Sequence, residues 1–122
     1  MKDAPAARVL HWVGGSKRDL MALPDSVIDV FGYALYLAQI GRRHEQAKPL
    51  KGFSSAGVLE IVEDHDGNTY RAVYTVRLAE RVFVLHVFQK KSKRGIATPK
   101  EELELIRSRL KRAEQIAREL ES

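Results

Sequence analysis

A dense group of cations lies where the sequence predicts the end of a strand. The six residues from Gln89 to Arg94 read QKKSKR and include four basic side chains. Another cation, Arg71, lies within the preceding β-rich segment. A short turn is predicted between the two segments, and antiparallel pairing about it brings Arg71 and Lys90 to the same end of a hairpin. Basic side chains on a rigid strand edge are suited to binding phosphate.

Cations held in this way can support the cleavage of RNA without a metal ion. The 2′-hydroxyl must lose its proton, the pentacoordinate phosphate must be stabilised, and the departing 5′ oxygen must gain a proton. The planar fork of an arginine contacts two phosphate oxygens at once, and lysine or histidine can supply charge or a proton. Our hypothesis assigns phosphate stabilisation to Arg71 and Lys90. The alternatives are an exposed Arg71 paired with Glu60 or Glu63, and a basic run that only aids solubility.

The groups that would transfer protons are less clearly marked. His86 lies among apolar strand residues, where alternation groups it with Val84 and Phe88, and a histidine in that setting is more often structural than catalytic. His65, in a predicted turn, is the other candidate for the general base. We expect Tyr74 to be a core residue. Further contacts to RNA phosphate are predicted, with a plain surface role as the alternative, for Lys48, Lys51, Lys91, Lys93 and Arg94.

The overall composition predicts one basic domain. A chain of 122 residues with 44% hydrophobic residues is expected to form a single domain over residues 1–122. Lys and Arg number 21 against 16 Asp and Glu, and the resulting net charge of +5 favours polyanionic partners.

The sequence lacks the residues and segments that cysteine-based sites, metal sites and membrane insertion require. Without cysteine the chain can form no disulfide, Cys-ligated zinc site, iron–sulfur cluster or thiol nucleophile. Its four histidines show no paired metal-binding spacing, so we expect no metal and no cofactor. No apolar run approaches the roughly 20 residues that span a bilayer, and no signal peptide is recognisable. We therefore expect a cytoplasmic protein with no membrane partner.

The N-terminal part of the chain is predicted to contain a short strand and two helices. Residues 8–13 suit a strand, and Ser16 can cap a brief first helix. A second helix with apolar residues at helical spacing begins at Pro24 and ends at Gly41. The polar segment 44–55 is predicted to be a loop or an irregular approach to the next strand.

Three strands and a helix are predicted to follow. The strands cover residues 58–62, 69–78 and 82–89, and they form an antiparallel meander. Asp66 and Gly67 supply the positive φ that the first turn needs. Thr98 as N-cap, Pro99 at the first helical position and Glu101 form a capping box for the last helix, whose apolar stripe packs on the sheet. The predicted fold class is α+β, with the element order β-α-α-β-β-β-α.

The stretch from Tyr70 to Leu103, YRAVYTVRLAERVFVLHVFQKKSKRGIATPKEEL, closely resembles the phage-derived Gp49-like branch of the RelE/HigB toxins of bacterial type II toxin–antitoxin pairs. The resemblance implies a small antiparallel sheet flanked by two N-terminal helices and a C-terminal helix. It also implies cleavage of mRNA on the ribosome and inhibition by a cognate helix-turn-helix antitoxin of the HigA type. The family's characteristic arginine corresponds to Arg71, and its basic residue after the last strand corresponds to Lys90 or Lys91.

The chain departs from the RelE branch at positions that bear on the mechanism. Two lysines of that branch fall at Glu60 and Val62, and its late tyrosine falls near Ile96. The general base is therefore left open between His86 and His65. Two other functions also stay open, namely a ParE-type toxin that acts on DNA gyrase and a non-toxic nucleic-acid-binding module. The basic strand end favours RNA as the target.

Overall fold

In the computed structural model the chain is described over residues 7–90 and 98–122, and there it forms five strands and three α-helices. The strands are β1 (Leu10–Trp12), β2 (Lys48–Pro49), β3 (Val58–His65), β4 (Asn68–Leu78) and β5 (Arg81–Lys90). The helices are α1 (Ser16–Met21), α2 (Asp25–Gln39) and α3 (Lys100–Glu121). The predicted α+β class and element order are confirmed, with β2 as an added short strand in the segment predicted to be irregular. None of the described helices is long and apolar enough to cross a membrane.

The strands form one sheet in the order β1-β5-β4-β3-β2. The predicted meander is its centre, since β3, β4 and β5 pair antiparallel with their neighbours in sequence. The outer strands are short: β1 pairs parallel to β5, and β2 pairs antiparallel to β3. The long central strands therefore provide the rigid platform on which the candidate site residues lie.

Two-residue turns join the strands of the meander. Asp66-Gly67 has φ angles of 52° and 80°, and Ala79-Glu80 has φ angles of 51° and 52°. Positive φ at both central residues gives a turn whose twist matches that of the flanking strands. Glycine adopts this conformation freely, which is why Asp-Gly predicts the first turn. Ala79-Glu80 carries no comparable signal, and its conformation is imposed by the paired strands on either side.

The sheet separates two apolar cores, one on each face. The face that we call the α2 face packs residues of that helix against the sheet, among them Val27, Phe31, Leu35, Ile61, Ala72 and Val82. The α3 face packs the apolar stripe of that helix against the other side, with Val58, Val73, Phe83, Ile106, Leu110 and Ala113 among its buried residues. Burial on both faces explains the long apolar runs in the central strands.

A bulge in β5 changes which face its side chains occupy. Val73 lies opposite His86 and Tyr74 lies opposite Val84, so Leu85 is an extra residue between the two pairs. An extra residue interrupts the period-two alternation of a strand. Val84 packs on the α2 face, whereas His86 lies opposite Val73 of the α3 face. The prediction that His86 and Val84 share a face is therefore wrong.

Both predicted helix caps are also wrong. Helix α1 has Gly15 as its N-cap, and the Ser16 hydroxyl instead donates a hydrogen bond to the Val84 carbonyl at 3.2 Å. Helix α3 has Pro99 as its N-cap, with no side-chain capping bond. The Thr98 hydroxyl accepts a bond from Arg71. Both hydroxyls that the sequence predicts to cap a helix therefore form a hydrogen bond with a strand residue instead.

Candidate functional site

The two cations predicted to meet do lie at the same end of the β4–β5 hairpin. Arg71 is opposite Phe88, and Lys90 is opposite Thr69. The two pairs are two positions apart along each strand, so both cationic side chains lie on the same face, which is the α3 face. The predicted hairpin pairing is thereby confirmed, and it places both groups beside the start of α3.

Arg71 forms a buried ion pair. Its Nη1 donates to Glu60 Oε1 at 2.6 Å and to Thr98 Oγ1 at 3.1 Å. The two charged side chains are only 14% and 8% exposed, so the pair expected at an exposed position is in fact enclosed. Arg71 Nε is also buried and has no hydrogen-bond partner among the described residues. The guanidinium is thus fixed through Nη1, and Arg71 also lines the cavity described below.

Lys90 is a buried cation beside this pair. Lys90 as a whole residue is only 4% exposed. Burial lowers the pKa of Lys90 below the usual lysine value, repulsion from Arg71 lowers it further, and attraction to Glu60 partly offsets both effects. A lysine with a lowered pKa releases its proton at a lower pH than a solvated lysine does.

His86 is held by two side chains of α3. Its Nε2 lies 2.7 Å from Glu102 Oε1, and its Nδ1 lies 3.4 Å from Arg109 Nη1. Arg109 Nη1 also donates to the Leu85 carbonyl at 2.9 Å, and the imidazole stacks on Phe88 with ring centroids 4.6 Å apart. If Nε2 carries the proton, it donates to the carboxylate, and Nδ1 accepts from the guanidinium.

The sequence does not single out Glu102 and Arg109. They are seven residues apart, two helical turns, and so lie on one side of α3. Their nearness to the apolar positions Leu103, Ile106 and Leu110 is the available signal that they face the sheet. Their partner on β5 cannot be read from that spacing, because the bulge determines where His86 points.

A cavity of about 370 Å³ opens beside Arg71. It is lined by Leu50, Lys51, Glu60, Arg71, Thr98 and Leu103. Lys51 is exposed and therefore supplies a solvent-accessible cation at the same opening as the enclosed guanidinium. Lys48 is exposed on β2 and pairs with Glu60 in the backbone register, one strand further from Arg71.

Other predicted residues are not brought to this cavity. His65 lies on the α2 face, where Nδ1 is 3.0 Å from the Ser26 hydroxyl and Nε2 is 3.5 Å from Asp66. Tyr74 is buried in the core, as predicted. Within residues 7–90 and 98–122 no group of three or more metal-ligating side chains occurs. The remaining predicted positions, which lie outside the described residues, are Lys91, Lys93 and Arg94, and Ile96, where the RelE branch has its late tyrosine, also lies there.

Comparisons with known proteins identify the family. No curated protein matches the chain in a sequence search. Among solved structures, the chain is similar to one from the toxin–antitoxin complex RelBE2 of Mycobacterium tuberculosis, with 21% identity, a TM-score of 0.45, and coverage of 75% of this chain and 100% of that one. The family model described as phage derived protein Gp49-like (DUF891) matches residues 18–111, which include Arg71, His86 and Lys90. Because this match spans well over half of the chain, the protein belongs to the phage-derived Gp49-like family.

Proposed function

We propose that the chain is the toxin of a type II toxin–antitoxin pair and cleaves mRNA on the ribosome without a catalytic metal ion. The observation that carries the proposal is the buried cluster of Arg71, Lys90 and Glu60 beside an open cavity. A strand-held guanidinium next to a lysine of lowered pKa combines charge stabilisation with proton transfer. Membership of the Gp49-like family and the resemblance of residues 70–103 to RelE/HigB toxins support the same conclusion.

In this mechanism Arg71 stabilises the phosphate as negative charge develops on it. Glu60 and Thr98 fix the guanidinium through Nη1, and the cavity that Arg71 lines gives a phosphate access to this side chain. A donor that is positioned before the reaction needs little reorganisation when the charge appears. Glu60 is therefore a positioning residue in our proposal, and it takes one of the places that hold lysines in the RelE branch.

Lys90 is the group we assign to proton transfer. It is desolvated next to Arg71, and its lowered pKa makes both protonation states accessible closer to neutral pH. His86 was the other candidate on this face. Both of its nitrogens are engaged by α3, so the bond from Nε2 to Glu102 would have to open before the ring could act as a general base. The geometry favours His86 as the residue that holds α3 over the site.

RNA binding is assigned to the cations around the cavity. Lys51 lines the opening, and Lys48 lies on the neighbouring edge strand. The proposal extends this surface to Lys91, Lys93 and Arg94, which directly follow Lys90 in the sequence. The target, mRNA on the ribosome, and a HigA-like antitoxin as inhibitor belong to the same proposal, as does a cytoplasmic location.

Induced expression in bacteria, with mapping of mRNA 5′ ends, tests the proposal. We expect new ends inside translated frames, lost in Arg71→Gln and retained in Arg112→Gln, a matched loss of an exposed cation on α3. DNA damage without new mRNA ends would select the gyrase poison instead. Absence of both growth arrest and cleavage would select the non-toxic binding module.

The chemistry is tested separately on purified protein with a model RNA in metal-free buffer. Attack by the 2′-oxygen releases the 5′ oxygen and leaves a 2′,3′-cyclic phosphate. We expect that product, and we expect added EDTA to leave the rate unchanged. A 3′-hydroxyl product that requires divalent metal would contradict the proposed mechanism.

A further inference from the structure

A second cavity lies on the α2 face, across the sheet from Arg71. Its volume is about 220 Å³, and it opens between the end of α2 and the strands β3 and β4. We call it the Tyr74 cavity. Its lining includes Tyr74 and four arginines, Arg8, Arg42, Arg43 and Arg77, and no acidic residue.

The arginines around the Tyr74 cavity have no carboxylate partner in the part of the chain that the structure describes. Arg43 instead donates from Nε and Nη2 to the Ala47 carbonyl, at 3.2 and 3.1 Å. Like charges gathered around one partly enclosed volume repel one another, and an anion placed between them relieves that repulsion.

The buried hydroxyl of Tyr74 is a second, independent indication that an anion binds in this cavity. Tyr74 is 1% exposed, and its hydroxyl has no hydrogen-bond partner among the described residues. A buried hydroxyl without a partner is destabilising and rare, which suggests that a ligand satisfies it. Burial raises the pKa of Tyr74 to about 12, with Arg43 opposing the rise, so the hydroxyl keeps its proton at neutral pH and can donate to an anion.

We propose that the Tyr74 cavity binds a phosphate monoester, with the Tyr74 hydroxyl as a donor and the surrounding arginines as the countercharge. This site goes beyond the proposed nuclease function and does not depend on it. Arginine forks match phosphate oxygens, and a monoester carries a charge of about −1.5 to −2 at neutral pH, which balances four cations better than one carboxylate does. The apolar lining of Ala38, Leu59 and Val76 suits the organic group attached to the phosphate.

Titrations of the full-length ¹⁵N-labelled chain, followed by NMR, test this site. The probes are inorganic phosphate, uridine 5′-monophosphate, and a short 2′-O-methyl oligonucleotide carrying either a 5′-phosphate or a 5′-hydroxyl. The methyl group blocks attack by the 2′-oxygen, so the oligonucleotide stays intact. We expect the phosphorylated probes to shift the amide signals of Tyr74, Val76 and Arg77. Comparable affinity for the mononucleotide identifies a free nucleotide as the source, and binding of the phosphorylated oligonucleotide alone identifies an RNA end.

Two variants are compared with the wild-type chain in these titrations, one that alters the site and one that serves as a control. Tyr74→Phe removes only a hydroxyl that has no partner within residues 7–90 and 98–122, so the fold is expected to persist. Affinity should fall about tenfold or more, the usual effect of losing a bond to a charged group. Arg118→Gln removes an exposed cation of α3 and should leave affinity unchanged. Equal binding by Tyr74→Phe, shifts confined to the Arg71 region, or equal binding of the 5′-hydroxyl oligonucleotide would each overturn the proposal.

Discussion

Strand β4 contributes to two regions that differ in whether their arginines have a carboxylate counterion. On the α3 face, Arg71 is neutralised by buried Glu60 at 2.6 Å. On the α2 face, the arginines of the Tyr74 cavity have no carboxylate partner among the described residues. An internal counterion fixes a cation in one geometry, whereas an unbalanced cluster gains most from an anion that arrives from outside. The first arrangement suits transition-state stabilisation, and the second suits ligand binding.

Arg71→Ala is expected to have the largest effect, because it breaks the internally balanced region. It removes the directly bonded counterion of buried Glu60 and leaves only the longer-range attraction of Lys90, a loss on the order of 3–5 kcal/mol of unfolding free energy. It also removes a preorganised donor, so cleavage should fall about 10²–10³-fold. Urea denaturation and the model-RNA assay measure the two losses.

A paired replacement separates folding from catalysis at Arg71. Arg71→Met combined with Glu60→Leu removes both charges and should recover most of the lost stability, because well-packed apolar groups often replace a buried ion pair without cost. Cleavage should not recover. Full activity in the stable double variant would show that this ion pair takes no part in the reaction.

His86→Phe tests whether α3 is held over the balanced region by hydrogen bonds. Phenylalanine can keep the stack on Phe88, but it removes the imidazole contacts to Glu102 and Arg109, and Arg109 keeps its bond to the Leu85 carbonyl. We expect a loss of about 1–3 kcal/mol in unfolding free energy. A fall in cleavage as large as that of Arg71→Ala, in protein shown to be folded by circular dichroism, would instead return His86 to the role of general base.

Tyr74→Phe tests the second region, the Tyr74 cavity on the α2 face. In phosphate-free buffer it removes a buried hydroxyl that lacks a partner, so we expect stability to rise by about 1 kcal/mol. Saturating uridine 5′-monophosphate should raise the stability of the wild-type chain more than that of the variant. Thermal denaturation with and without the nucleotide provides the measurement. Identical shifts for both proteins would remove the basis for a ligand at Tyr74.

Lys90→Met is expected to have the smallest effect on stability, with a sign that depends on pH. The pKa of Lys90 is lowered in the folded protein, so the unfolded chain binds more protons as pH falls through the ordinary lysine range. Wild-type stability should therefore rise relative to Lys90→Met between the lowered pKa and about 10.4, the unfolded value. Denaturation at pH 7 and pH 10 measures this difference. Exposed Lys111→Met is the control, and the same pH trend in that variant would contradict the assignment.

Sequence patterns predicted the parts of the structure that depend on neighbours along the chain. The Asp66-Gly67 turn and the alternation of β4 determine the meander, and hairpin pairing then brings Arg71 and Lys90 to one end. The apolar stripe of α3 likewise predicted its packing on the sheet. These features follow from local periodicity and turn chemistry.

The remaining features depend on contacts between distant segments. The bulge at Leu85 has no clear sequence signal, and it moves His86 off the face occupied by Val84. Thr98 has an ideal capping sequence, yet its hydroxyl binds Arg71 because tertiary packing brings them together. The Tyr74 cavity gathers residues from positions 8 to 77, which no local pattern connects.

The shortness of the two outer strands affects how other chains can attach. Among the described residues, β1 has three residues and β2 has two, and β2 includes Pro49, which has no backbone N–H to donate. A long flat edge invites strand addition and aggregation, and short edges bearing lysine or proline discourage both. A segment that tried to extend this sheet would find few backbone groups to pair with. Partners are therefore expected to recognise side chains on the helices and in the cavities, which makes recognition depend on the surface residues of this chain.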